Sequence, residues 1–248
     1  MVSCLDNRGG TKHYGTKVGI FFGKTMNYRK FIRFYSYQRI NKYFRAVGKN
    51  KQRAMELYQA NLELAQAFHP LLGSFEVILR NQLHYALAAH FNDKEWIINQ
   101  KNGFMQDRRL GSKYWMKGEV TKAEKKLADN GIAITHGRII AEQNLGFWNS
   151  MFEKKPYAVL SGIPLSIFKN KPANIDRTDI NKRIIEIREF RNRINHNEPI
   201  CFVNGRKNLS YASGMHDKIM ELLNWIDEDL PDSLSTIDKV VDTIAKYL

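Results

Sequence analysis

The chain has 248 residues, 43% of them hydrophobic, and carries 39 Lys and Arg against 25 Asp and Glu, a formal net charge of +14. That is enough apolar material for a sizeable core, which excludes disorder of the whole chain, and the positive balance favours nucleic acid or an anionic membrane surface. No apolar run reaches the ~18 to 20 residues that span a bilayer, and Val18 to Phe22 is too short for a signal-peptide core, so a cytoplasmic protein without a membrane partner is expected.

Residues 1–25 are glycine-rich, and the helical pattern begins only after Met26. They read as a disordered leader or an over-called start, with 26–248 as one helical domain. Between Asn7 and Met55 stand thirteen Lys or Arg and no acid, so the excess charge gathers at one end. In this basic arm Tyr28, Phe31, Phe34, Tyr35, Tyr37, Tyr43 and Phe44 interleave with Arg29, Lys30, Arg33, Arg39, Lys42 and Arg45. Cations that track phosphates and rings that stack on bases suit single-stranded RNA. The same rings also read as the buried face of a first helix over 36–47, capped by Ser36, so RNA binding is assigned to the cations and core packing to about half the rings.

A second helix is predicted from Lys51 to His69, stopped by Pro70, and a third, unusually apolar, from Leu71 to Asn92. Within the third, Glu76, Arg80 and His84 recur every four positions and form a polar seam. The seam either lines a cleft and orients site residues or holds an internal Glu76–Arg80 salt bridge. Further helices are predicted at Tyr114 to Asp129, His136 to Gln143, Gly146 to Glu153, Asp179 to Asn195, Ala212 to Asp229 and Ser235 to Tyr247. Strand-like alternation is scarce, so the fold class is all-α.

Chemistry concentrates on the helix at 179–196. Its apolar stripe is read as Ile180, Ile184, Ile187, Arg191, Ile194, which puts a guanidinium where an aliphatic residue belongs. Such a cation costs several kcal/mol unless it is paired or faces a cleft. Asn192 and His196, four apart, are read on one face, and Pro199 follows. A cation, an amide and an imidazole are what metal-free RNA cleavage needs: a proton shuttle for the 2′-OH at His196 and a phosphate clamp at Arg191. The plainer reading is that Arg191 pairs with Glu186, Glu189 or Glu76 and that His196 only ends the helix. Cys4 and Cys201 lie far apart without metal-ligand neighbours, and His136, His196 and His216 lack ligand spacing, so neither a disulfide, a metal nor a cofactor is expected.

The segment Arg191-Asn192-Arg193-Ile194-Asn195-His196-Asn197-Glu198-Pro199-Ile200 resembles the Arg-Asn-Arg-Ile-Ala-His-His-Glu-Pro-Ile segment of the Abi-like family and fits the wider HEPN pattern of Arg, a short spacer and His. Phe75-Glu76-Val77-Ile78-Leu79-Arg80-Asn81 resembles that family's Leu-Glu-Val-x-Leu-Arg-Asn helix, and Leu145-Gly146-Phe147-Trp148 its Phe-Gly-Phe-Trp element. Together the three elements cover roughly Tyr35 to Asp229 in the family's order. The resemblance implies a HEPN-like helical bundle, a metal-independent ribonuclease, a role in abortive infection, toxin–antitoxin or antiviral defence, a homodimer with a composite cleft, and a restraining protein or RNA antitoxin. By position it makes Arg191, Asn192 and His196 catalytic and Glu198 supporting; the seam of Glu76, Arg80 and His84, read from its spacing, is expected to support them. Asn197 departs from the family's second histidine, and Asn195 replaces a small residue. Phe147 and Trp148 are read as core residues.

Overall fold

The computed structural model describes residues 26–111 and 114–247; the expected leader at 1–25, with Cys4, lies outside them. Within them the chain is all-α. The helices are α1 (Tyr28–Tyr35), α2 (Tyr37–Ala46), α3 (Lys51–Phe91), α4 (Trp96–Asn99), α5 (Trp115–Asp129), α6 (His136–Glu142), α7 (Leu145–Ser150), α8 (Lys154–Val159), α9 (Arg177–Asn195), α10 (Ser210–Ile226), α11 (Leu230–Ser233) and α12 (Val240–Tyr247). One two-residue hairpin, β1 (Phe202–Val203) with β2 (Arg206–Lys207), is inserted after α9, and its strands run antiparallel. Among the described residues no helix is long and apolar enough to cross a membrane.

The basic arm is two helices and not one. Asn27 caps α1 by accepting from the Lys30 N–H, and Ser36, at φ 67°, ends α1 and caps α2 through the Arg39 N–H. Phe31 and Tyr43 turn inward and meet Tyr58 of α3 edge-on, with ring centroids 5.6 and 5.2 Å away. Phe34, Tyr35 and Tyr37 stay exposed, which matches the division of rings expected from the sequence.

The expected stop at Pro70 does not occur: α3 runs unbroken for 41 residues. Its buried stripe, Leu57, Asn61, Leu64, Phe68, Leu71, Phe75, Leu79, Leu83 and Leu87, passes the proline without losing phase. A proline inside a helix costs about 3 kcal/mol. Pro70 is itself exposed, so water can reach the carbonyl it leaves unbonded, while each large apolar side chain buried around it contributes roughly 1.5–3 kcal/mol. The flanking burial outweighs the break. α3 therefore forms the axis of the molecule, with α1, α2, α4, α7, α10 and α12 packed against it.

α9 starts at Arg177, earlier than expected, because Asp176 and Asp179 form a reciprocal capping box. Backbone N–H donors, chiefly that of Asp179, hold the Asp176 carboxyl below its ordinary range. The buried stripe is Ile180, Ile184, Ile187, Phe190 and Ile194, in steps of four, three, three and four. Phe190 therefore takes the core position that the sequence reading gave to Arg191, and its ring meets Phe68 of α3 at 4.7 Å. Phe147 and Trp148 of α7 are fully buried, as expected of core residues.

Candidate functional site

The last turn of α9 closes in a way that explains its sequence. His196 is the C-cap, Asn197 adopts a left-handed φ of 50°, its N–H bonds the Ile194 carbonyl at 2.9 Å, and the Glu198 N–H bonds the Arg193 carbonyl at 2.8 Å. This is the paired closure of a Schellman motif, whose left-handed position favours glycine or asparagine. Asn197 thus has a conformational reason for standing where the Abi-like pattern has histidine. His196 lies at the cap rather than within the helix, and its backbone N–H bonds the Asn192 carbonyl at 3.0 Å.

Two contacts fasten this end, one of them buried. Asn61, fully buried on the α3 stripe, accepts from the Ile200 N–H at 2.7 Å and donates to the Glu198 carbonyl at 3.3 Å. Arg39 of α2 donates through Nη1 to the His196 carbonyl at 3.2 Å and to the Asn197 carbonyl at 2.8 Å. Arg39 is therefore not a free cation of the arm like Arg29, Lys30, Arg33, Lys42 and Arg45, which are exposed. It joins the arm to the end of α9. Neither Asn61 nor this use of Arg39 was visible in the sequence motifs; the available signal was a lone amide on an otherwise apolar stripe.

Arg191 sits at the edge of the core, half-buried, with Nη2 3.4 Å from Glu76 Oε2 and Nη1 3.5 Å from Asn192 Oδ1. Both contacts are long for hydrogen bonds, so the guanidinium is steered and not saturated. Glu76 pairs across to Arg191 and not along α3 to Arg80, so the internal Glu76–Arg80 salt bridge is not formed. Asn192, His196 and Glu198 are exposed, and Glu198 approaches Arg193 Nε at 3.5 Å. The His196 imidazole makes no side-chain hydrogen bond or ion pair among the described residues. Arg191, Asn192 and His196 thus share one open helix end, with Glu76 behind.

His84, the third seam residue, belongs elsewhere. Its Nδ1 accepts from Trp96 Nε1 at 3.0 Å, and its ring stacks on His136 at 5.9 Å. Burial, then the neighbouring His136, lowers its pKa, which keeps the accepting nitrogen unprotonated. A cavity of about 980 Å³ also lies apart: Arg53, Glu56, Leu57, Cys201, Lys207 and Tyr247 are among its lining residues, and no motif residue of α9 is. Burial pushes the Cys201 thiol there up to about 12, so it is no nucleophile at neutral pH. Among the described residues no group of three or more His, Cys, Asp or Glu is placed to hold a metal ion.

No protein-family model, no curated protein and no solved structure matches this chain.

Proposed function

We propose that the protein is an RNA-cleaving enzyme of the HEPN type, in which Arg191 binds the scissile phosphate and His196 moves the proton of the 2′-OH. One observation carries this reading: Arg39 ties the helices that present Arg29, Lys30, Arg33, Lys42 and Arg45, with Phe34 and Tyr37, directly to the carbonyls of His196 and Asn197. A surface suited to a single strand therefore runs into the end that holds the imidazole and the guanidinium. The 2′-OH would supply the nucleophile, which is why RNA and not DNA is the substrate class.

The open setting of His196 bears on assembly. Proton transfer and charge stabilisation are most effective in an enclosed site, and one chain leaves this end of α9 in solvent. A second copy facing it would close a composite cleft with two Arg191–His196 pairs, the arrangement that the Abi-like resemblance implies. A role in abortive infection or toxin–antitoxin defence, with a protein or RNA antitoxin, belongs to the same reading. If the chain does not pair, the same exposure favours the second reading, a non-catalytic RNA-binding module.

The test is incubation of the wild type and His196→Ala with total RNA and a labelled single strand in excess EDTA. Loss of cleavage by at least about a hundredfold in the variant, with 5′-hydroxyl and cyclic-phosphate ends from the wild type and an unchanged melting temperature, is expected. Equal cleavage by both proteins overturns the assignment of His196. Salt-sensitive binding without cleavage by either selects the binding module.

A further inference from the structure

We propose that the groove bounded by α2, α3, β2 and α12 receives a short acidic and aliphatic segment of a partner protein, with a carboxylate at Arg53 and aliphatic side chains on α3. The proposal does not rest on the RNA reading, and its test contains no RNA.

The groove has a volume of about 980 Å³, room for several side chains. Its α3 wall presents Arg53, Leu57, Ala60 and Leu64, in steps of four, three and four, so one line of the helix runs from a cation into an aliphatic floor. Leu57 to Leu64 spans about 10 Å at 1.5 Å per residue, the length of about three extended residues. Leu209 and Cys201 widen the floor, and burial keeps the Cys201 thiol neutral. The floor adjoins the anchor of α9, since Leu57 lies one turn before Asn61 and Cys201 follows Ile200, whose N–H Asn61 accepts.

Charge placement decides what fits. Lys246 is neutralised by Glu63 at 2.5 Å. Lys207 donates to the Tyr247 carbonyl, which carries no charge, and the exposed Arg53 makes no side-chain hydrogen bond or ion pair among the described residues. Arg53 also stands with Lys51 in a first helical turn that holds no acid, at the positive end of the helix dipole. Two cations of the groove therefore lack an acid, and a guanidinium with its donors free is matched by a carboxylate. Glu56, three residues after Arg53, does not pair with it and accepts only from the neutral Gln52 amide at 3.0 Å. An acid in that wall calls for a donor on the ligand, which a peptide N–H supplies and a fatty-acid chain does not. A nucleobase finds little to stack on: Tyr247 is the one ring among the described lining residues, and Lys246 lies over its face at 5.1 Å.

The measurement is fluorescence anisotropy of labelled Ser-Leu-Ala-Leu-Glu amide and of its neutral counterpart, Ser-Leu-Ala-Leu-Gln amide. Both are titrated with the full-length wild type, Arg53→Ala, Glu56→Ala and Ala60→Met, with decanoate and adenosine 5′-monophosphate as competitors. The wild type should bind the glutamate peptide about tenfold more tightly than the glutamine peptide, the gain expected from one charge-assisted contact. Arg53→Ala, an exposed change that leaves the floor intact, should erase that preference. Glu56→Ala should weaken both peptides alike, and Ala60→Met, which fills the floor, should abolish binding of both. A wild type that binds neither peptide or shows no preference overturns the proposal, as does a preference kept in Arg53→Ala with a native melting temperature. Displacement of the glutamate peptide by an equal concentration of decanoate or of adenosine 5′-monophosphate assigns the groove to a free acid or a nucleotide and overturns the partner segment.

Discussion

Along the first half of α9, Arg183 reaches Glu221 at 2.7 Å and Glu186 reaches Lys218 at 2.6 Å; in its last two turns Arg191 stands 3.4 Å from Glu76 and Arg193 stands 3.5 Å from Glu198. The N-terminus is closed by a capping box, and the C-terminus by a left-handed asparagine, a buried amide and an arginine that donates to two carbonyls. The early turns spend their charges on the fold. The late turns are fixed by backbone groups, the Asn61 amide and Arg39, so the Arg191 guanidinium keeps only long contacts and the His196 side chain is left open. A helix end built this way leaves these groups open to a ligand, as the proposed RNA site requires.

Replacing Asn61 by leucine should break the fixed end most severely. The substitution completes the apolar stripe of α3 but leaves the buried Ile200 N–H without an acceptor and the Glu198 carbonyl without its donor. A loss of about 1–3 kcal/mol is expected in urea unfolding. Cleavage should fall more than stability explains, because the segment behind His196 loses its anchor. Unchanged stability in Asn61→Leu would mean that the end of α9 does not depend on this amide.

A smaller effect separates conformation from chemistry at position 197. Asn197→His introduces the histidine of the Abi-like pattern in a left-handed conformation that a larger side chain adopts less readily, and should cost up to about 1 kcal/mol. Asn197→Gly should stay within a few tenths of a kcal/mol of the wild type. If Asn197→His instead raises cleavage severalfold without loss of stability, asparagine is a catalytic concession and not a helix stop.

The helical class and, to within two residues at each end, the helices at 37–46, 115–129, 136–142 and 177–195 were legible. Two features were not. Pro70 reads locally as a stop, and only the uninterrupted burial from Phe68 to Leu72 shows why it is crossed. On α9, Phe190 and Arg191 both fit a helical stripe, and a step of three or four cannot choose between them; the ring of Phe68 does. The motif residues Arg191, Asn192 and His196 were identified from their chemical types and do share one helix end. Arg39 and Asn61 were not assigned these contacts, because their partners are backbone carbonyls and a backbone amide, which leave no mark in residue spacing.

The gentlest test sharpens the contrast between the two ends. Glu186→Gln removes the carboxylate from a pair at 2.6 Å whose side chains are each about a third exposed, and should cost up to about 1 kcal/mol. Glu198→Gln removes it from a pair at 3.5 Å whose carboxylate is half exposed, and should change stability by no more than about 0.3 kcal/mol. Urea unfolding at low and at high salt measures both, and salt should narrow the gap between them because exposed pairs are screened. Equal losses at the two positions would mean that Arg193 is as firmly committed to the fold as Lys218, and the slack assigned to the late turns would then be confined to Arg191 and His196.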